Sequence, residues 1–232
     1  MSDQIDFYNE FGRLYRDSII NSKDPANWTA DPDPESAANR QMRGRTSRQE
    51  MLIKKYFVKA FPVLDLGCGY GRQTFMMSKN NFSVIGVDSS RVFIDIGTEL
   101  FRKHQLGVKF ICTSVMDFAD DKKQLQITLF DVIEHFTSSD RKKFIRHLAE
   151  NICDRKAKVI LSFPYMNSRS LKDRLINAYK GLTSGIPVLS DKKEHPYPIP
   201  YRNEFEELIG PYFRVMEFSN SKDTAFFVLE KI

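Results

Sequence analysis

The residues best placed to do chemistry are those of Val63-Leu-Asp-Leu-Gly-Cys-Gly-Tyr-Gly71. An apolar strand runs into three spaced glycines and a helix begins at once. Without a Cβ, such a turn lets backbone amides come close to a ligand. In an open α/β sheet, it sits at the carboxyl ends of the strands, where ligands bind. The spacing Gly67-x-Gly69-x-Gly71 is one residue short of the dinucleotide fingerprint G-x-G-x-x-G. Asp65 lies just inside the turn, and a carboxylate there suits a positively charged ligand better than a pyrophosphate. No G-x-x-x-x-G-K-S/T is present, which excludes a P-loop.

Further chain positions carry side chains fit for proton transfer or anion binding. Asp131, Glu134 and His135 cluster after an apolar run. Glu134 and His135 read either as an active-site mouth or as a helix cap with a histidine packed beneath it. His195-Pro-Tyr-Pro-Ile-Pro-Tyr201 is a proline-stiffened loop that presents His195, Tyr197 and Tyr201 at little entropic cost, or covers the core with its aromatics. Arg40, Arg43, Arg45, Arg48, Lys54, Lys55 and Lys59 face the single acid Glu50 within one stretch. They suit a phosphate or carboxylate, although such a run is more often a solvated helix face. Trp28, the sole tryptophan, either packs a cap onto the body or stacks on a substrate.

The elements that must position these groups alternate. Strands are predicted at Phe61–Leu66, Phe82–Asp88, Val108–Cys112, Leu125–Phe130 and Val159–Phe163. Helices are predicted at Arg72–Lys79, Val92–His104 and Asp140–Cys153. Ser47-Arg-Gln-Glu50 reads as a capping box opening a helix that Pro62 stops. Ile5, Tyr8, Phe11 and Tyr15 fit one helical face near the start. Leu171 to Tyr179 suggests a further helix, Glu204–Ile209 a short one, and Phe213–Phe218 with Thr224–Glu230 a closing hairpin. This pattern predicts a doubly wound α/β sheet of about seven strands, mostly parallel, with helices on both faces. Residues 1–46 would form an N-terminal cap, residues 47–232 the main domain, and 168–203 a substrate-side insertion before the last helix.

Composition narrows the class. The chain has 232 residues, of which 41% are hydrophobic and 28% charged, so a globular core is affordable and global disorder excluded. The net charge of +5 permits an anionic partner without demanding one. No stretch is apolar enough to span a bilayer, and the first residues lack the basic and apolar regions of a secretory signal. Cys68, Cys112 and Cys153 form neither a C-x-x-C nor a cluster with histidine, so no structural metal or disulfide framework is expected. They read as small buried hydrophobes in a cytoplasmic protein.

Together these residues resemble the class I S-adenosylmethionine-dependent methyltransferases. Asp65-Leu-Gly-Cys-Gly-Tyr-Gly71 is similar to that family's first motif. Val84-Ile-Gly-Val-Asp88-Ser-Ser is similar to its second strand, whose terminal acid holds the ribose hydroxyls. Phe130-Asp-Val-Ile-Glu-His-Phe136 resembles the segment after the fourth strand in the small-molecule branch, such as quinone-type O-methyltransferases, and Ser162-Phe-Pro164 falls where the fifth strand ends. The resemblance covers residues 47–167 well and 204–232 moderately; residues 1–46 and 168–203 show none. It implies cofactor contacts at Asp65, Gly67, Cys68, Gly69, Gly71, Asp88, Ser89, Ser114, Val115, Asp117 and Phe130. Ser114 stands where many relatives have an acid near the adenine amine; Asp117 follows three residues later, and either could read the base.

The implied reaction moves the sulfonium methyl of S-adenosylmethionine onto a small-molecule acceptor, which the basic residues allow to be anionic, by in-line displacement, leaving S-adenosylhomocysteine. His135, His195 and Asp131 are the candidate bases, in that order. No bound metal is expected. The place of the Asn/Asp-Pro-Pro-Tyr/Phe element of base-amino methyltransferases reads Phe130-Asp-Val-Ile, and no cysteine follows a proline as cytosine-C5 enzymes require. A nucleic-acid substrate is therefore possible but not favoured. The alternatives are an RNA or protein methyltransferase guided by the basic stretch, and a binding module without turnover. A monomer or homodimer is expected.

Overall fold

The computed structural model of the chain describes residues 2–120, 122–164, 202–221 and 224–232. Its centre is a seven-stranded sheet. The strands are β1 (Val63–Leu66), β2 (Val84–Asp88), β3 (Lys109–Cys112), β4 (Gln124–Phe130), β5 (Cys153–Pro164), β6 (Phe213–Asn220) and β7 (Thr224–Lys231). They lie in the order β3-β2-β1-β4-β5-β7-β6. β1 to β5 pair in parallel, and β7 enters antiparallel to β5 and pairs with β6. Strand order reverses beside β1, so the carboxyl ends of β1 and β4 flank the crevice where such sheets bind ligands.

Alternation along the strands builds two cores. In β1, Val63 joins the core under the N-terminal helices while Leu64 and Leu66 join the opposite one. Ile160 and its neighbours Val159 and Leu161 divide in the same way, as a period of two requires. One face is covered by α1 (Ser2–Ile20), α2 (Ala37–Tyr56), α3 (Arg72–Lys79) and α4 (Arg91–Lys103), through Ile19, Leu52, Met77 and Ile96. The other is covered by α5 (Ser138–His147) and α6 (Arg202–Ile209), through Phe144 and Phe205.

Several expectations need correction. The Ser47–Glu50 capping box does not open a helix, because both residues lie inside α2. Ser36 caps that helix by accepting from the Asn39 amide. The true start escaped hydrophobic periodicity because the inward face there is polar: Asn39, Thr46 and Gln49 are buried along with Leu52 and Ile53. Asn39 instead donates to the Asp31 and Asp33 carbonyls, and Thr46 to that of Ala26. The boundary drawn at residues 46/47 thus falls within one helix. The helix expected over Asp140–Cys153 stops at His147 and continues as a wider π-turn, Leu148–Ile152. Cys68 and Cys153 are buried, but Cys112 is exposed. The expected helix at 171–179 and the loop with His195, Tyr197 and Tyr201 lie outside the described residues.

Among the described residues, no helix is long and apolar enough to cross a membrane.

Candidate active site

A cavity of about 970 Å³ opens at the carboxyl ends of β1, β2 and β4. Its floor is the turn after β1. Gly67, Gly69 and Gly71 adopt φ of +72°, +57° and +90°, a region costly for residues with a Cβ. At Gly67 a Cβ would also stand 2.4 Å from Val132 Cγ2. The amides of its three glycines and of Cys68 are already engaged, however. The Gly67 and Cys68 amides both donate to the Val87 carbonyl, and the Gly71 amide donates to that of Cys68. The Gly69 amide donates to Asp88 Oδ2 at 2.8 Å. What the turn provides is a bare surface, which explains physically why it is not a phosphate cradle.

Asp88 ends β2 beside this floor. Its second oxygen, Oδ1, accepts from the Ser90 amide at 2.8 Å, and Ser90 Oγ in turn caps α4 at the Phe93 amide. Each carboxylate oxygen therefore keeps acceptor capacity toward the cavity. Burial pushes the Asp88 carboxyl above its usual range, opposed by those amide bonds. Ser89, Ser114, Val115, Asp117, Phe130 and Cys68 also line the cavity.

Two expected contacts lie elsewhere. Asp65 is buried beneath the turn and does not line the cavity. It accepts from Thr74 Oγ1 at 2.6 Å and Thr128 Oγ1 at 2.8 Å, so it ties α3 and β4 to β1. Burial pushes its carboxyl up to about 6 against those hydroxyl bonds. Gly71 caps α3, where a Cβ would meet Phe101 and Phe110 rather than the cavity.

Beyond β4 the chain turns sharply at Asp131, a non-glycine residue with φ +58°. Its carboxylate is held by Arg45 Nη1 at 2.7 Å, by Arg72 Nη2 at 3.8 Å and by Ser162 Oγ at 3.3 Å. The 3₁₀ turn Ile133–His135 then turns Glu134 and His135 to the cavity wall. Glu134 does not cap α5; Thr137 does, accepting from the Asp140 amide. Glu134 is fully buried, and neither of its oxygens has a hydrogen-bond partner. Burial, and then the Asp131 charge, push its carboxyl well above the usual carboxylate range. His135 Nε2 is 3.2 Å from Tyr8 Oη.

The N-terminal helices close the cavity with residues that carry no motif. Tyr8, Phe11 and Trp28 line it together with Tyr70 and Phe93. Trp28 packs edge-on against Phe11, Tyr15 and Tyr70, and its Nε1 donates to Ser18 Oγ. Arg45 also lines it, from within the basic stretch, while Arg48 and Lys55 pair with Glu217 and Lys54 with Glu50. The basic stretch is thus neither a plain solvated face nor a free anion-binding strip. Arg72 and Tyr8 were missed as site residues, and Arg45 was not singled out from the basic stretch, because helical spacing alone does not say which face meets a cavity. The site unites the segments at the carboxyl ends of β1 to β5 with α1 and α2, and His195 lies outside the described residues.

A family model described as a methyltransferase domain matches residues 63–153. The ubiquinone biosynthesis O-methyltransferase of Coxiella burnetii (strain Dugway 5J108-111) is 27% identical over 95 residues, covering 40% of this chain and 41% of that protein. The chain therefore matches about two-fifths of the length of such curated relatives. In fold, it resembles the magnesium protoporphyrin IX methyltransferase of Synechocystis PCC 6803, solved with bound S-adenosylhomocysteine. The TM-score is 0.71 at 16% identity, covering 98% of this chain and 97% of that one. The cyclase SpnF shares the fold with a TM-score of 0.68 at 11% identity, covering 96% and 95%. The glycine turn and the β2 aspartate both fall within the segment, residues 63–153, that matches the methyltransferase-domain model.

Proposed function

We propose that the chain transfers the methyl group of S-adenosylmethionine to an oxygen or nitrogen of a small-molecule acceptor, releasing S-adenosylhomocysteine. One observation carries this reading: a single cavity joins the glycine floor and Asp88 to the cluster of Arg45, Asp131 and His135. Its volume lies within the range of ligand sites and suits a nucleoside with a small partner.

The residues fit the cofactor. Asp88 has acceptor capacity left for two vicinal hydroxyls, and the Gly67–Gly69 floor admits a ribose at close range. Ser114, Val115 and Asp117 would meet the adenine. Arg45 and Arg72, both at the wall, suit the methionyl carboxylate. When bound, the cofactor supplies a methyl group on a sulfonium already primed to leave. The protein's part is then chiefly to hold the nucleophile in line, an effect worth up to about 7–11 kcal/mol. Phe130, Phe136 and Trp28 keep water out of that space.

His135 is the leading group to take a proton from the acceptor, followed by His195 and then Asp131. Asp131 is the weakest, because Arg45, Arg72 and Ser162 already engage its oxygens. The name of the curated relatives supports a hydroxyl acceptor. Residues 1–46 are read as the cap of this site. Every group invoked comes from one chain, so a monomer or homodimer suffices, and the free thiols suit the cytoplasm. Methylation of RNA or protein is disfavoured by the ion pairs that occupy Arg48, Lys54 and Lys55.

Incubation with methyl-labelled cofactor and a metabolite extract tests the proposal. Label in a small organic product is the expected result. Label in RNA or protein would transfer the role to the alternative, and binding without any product would leave a module without turnover, as a fold shared with a cyclase allows.

A further inference from the structure

We propose that Tyr8 is a positioning residue for His135: the N-terminal helix carries the hydroxyl that orients the imidazole toward the acceptor. The inference rests on the reading of His135 as the acceptor-side base. Tyr8 Oη and His135 Nε2 are 3.2 Å apart although the two residues are 127 positions apart in sequence. Their rings meet edge to face, with centroids 5.6 Å apart at 83°. A contact at one imidazole nitrogen selects the tautomer and therefore which nitrogen can accept a proton. The three-residue 3₁₀ turn fixes the His135 backbone, its amide donating to the Val132 carbonyl, but not the direction of the ring.

The hydroxyl can perform this role only because α1 is itself anchored over α4. Arg16 pairs with Glu99, Lys103 Nζ donates to the Ile20 carbonyl at 3.0 Å, and the Tyr8 ring packs 5.9 Å from that of Phe93. Asn9 Oδ1 accepts from Ser90 Oγ at 2.7 Å. Ser90 is the residue whose amide donates to Asp88. Successive residues of α1 thus reach the two halves of the site, Asn9 the ribose side and Tyr8 the acceptor side. Orientation of His135 is in this way tied to the element that also braces Asp88.

The test uses the full chain saturated with S-adenosylhomocysteine. Tyr8→Phe keeps the ring and its packing on Phe93 and removes only the hydroxyl. Nitrogen–proton correlation spectra of the histidine rings report tautomers, and with four histidines in the chain, His135 is assigned by the signal lost in His135→Gln. Tyr8→Phe should displace the His135 ring signals and alter their tautomer pattern. The calorimetric affinity for S-adenosylhomocysteine should stay within about twofold, and label transfer into a metabolite extract should fall about five- to tenfold, as loss of one hydrogen bond implies. Unchanged His135 signals overturn the proposal. If Tyr8→Phe loses its fold by circular dichroism, Asn9→Ala must move the same His135 signals, and unchanged signals there also overturn it. A wild-type chain that binds no S-adenosylhomocysteine would instead overturn the cofactor reading itself.

Discussion

Replacing Asp88 with alanine probes the cofactor seat most directly, and its effect has two separable parts. The first is structural. Oδ2 accepts from Gly69 and Oδ1 from Ser90, each at 2.8 Å, so the substitution strands two amides. A buried donor left without a partner costs about 1–3 kcal/mol. Both amides border a cavity that water can enter, which places the total nearer 2 than 6 kcal/mol. The second part is binding. Two ribose hydroxyls donating to a carboxylate are worth about 1.5–3 kcal/mol each at most, and the two bonds are not additive. Affinity for S-adenosylhomocysteine should therefore fall about tenfold at least and about a hundredfold if both bonds are fully formed. Calorimetry gives the second part, and urea unfolding without ligand gives the first. Asp88→Asn separates them further: it preserves size and one acceptor, so it should unfold later than the alanine variant while still binding more weakly than the wild type. An alanine variant that is folded and binds within twofold of the wild type would refute the assignment of Asp88 to the ribose.

Three further outcomes follow from the geometry. Gly67→Ala should lower stability by about 2–5 kcal/mol, from the left-handed backbone and the collision with Val132, while Gly107→Ala, with nothing within 4 Å, should be nearly neutral in the same thermal melts. Trp28 fluorescence should change on titration with S-adenosylhomocysteine, because the only tryptophan lines the cavity; a flat titration at saturating ligand would count against the shared cavity. For Asp65, a folded carboxyl raised from 3.8 to about 6 makes the protonated form the stabilising one. That stability is fully present below pH 3.8 and is lost as pH rises through about 6, a span worth about 3 kcal/mol. Asp65→Asn mimics the protonated state. Its stability relative to the wild type should therefore rise between pH 4 and pH 7, and a difference independent of pH would refute the burial argument.

Much of the sheet was legible because its strands and helices announce themselves with strong apolar periods. Arg72–Lys79 was read to the residue, and the closing hairpin was legible as two apolar runs joined by a short polar turn, while the order of strands was not read from the sequence. That Gly67, Gly69 and Asp88 border the cavity was legible for the same reason, since they lie at the ends of those strands. Two things were less legible. Asp65 looked like a ligand group, yet its charge is spent on Thr74 and Thr128, hydroxyls 9 and 63 residues away that only the folded sheet brings together. The opposite wall was legible only in part: the motif after β4 pointed to Asp131 and His135, whereas Tyr8 and Arg72 carry no motif, and Arg45 stood among seven basic residues on a helix, α2, that turns a polar face inward.

This division has a physical basis in the turn after β4. A fold shared by a protoporphyrin methyltransferase and a cyclase does not by itself choose a reaction. In this chain the turn at Asp131 shapes the cavity wall that stands opposite the glycine floor. A left-handed backbone costs a non-glycine residue about 1–2 kcal/mol, and glycine would relieve it. Glycine would also remove the carboxylate that gathers Arg45 from α2, Arg72 from α3 and Ser162 from β5. The strained conformation brings Glu134 and His135 to the cavity wall, and the three partners of Asp131 are what hold it there. The same ion pair draws α2, and with it the N-terminal cap, over the site. Strain, ion pair and cap are thus one construction, and the features that specialise the acceptor side cannot be altered singly without loosening the others.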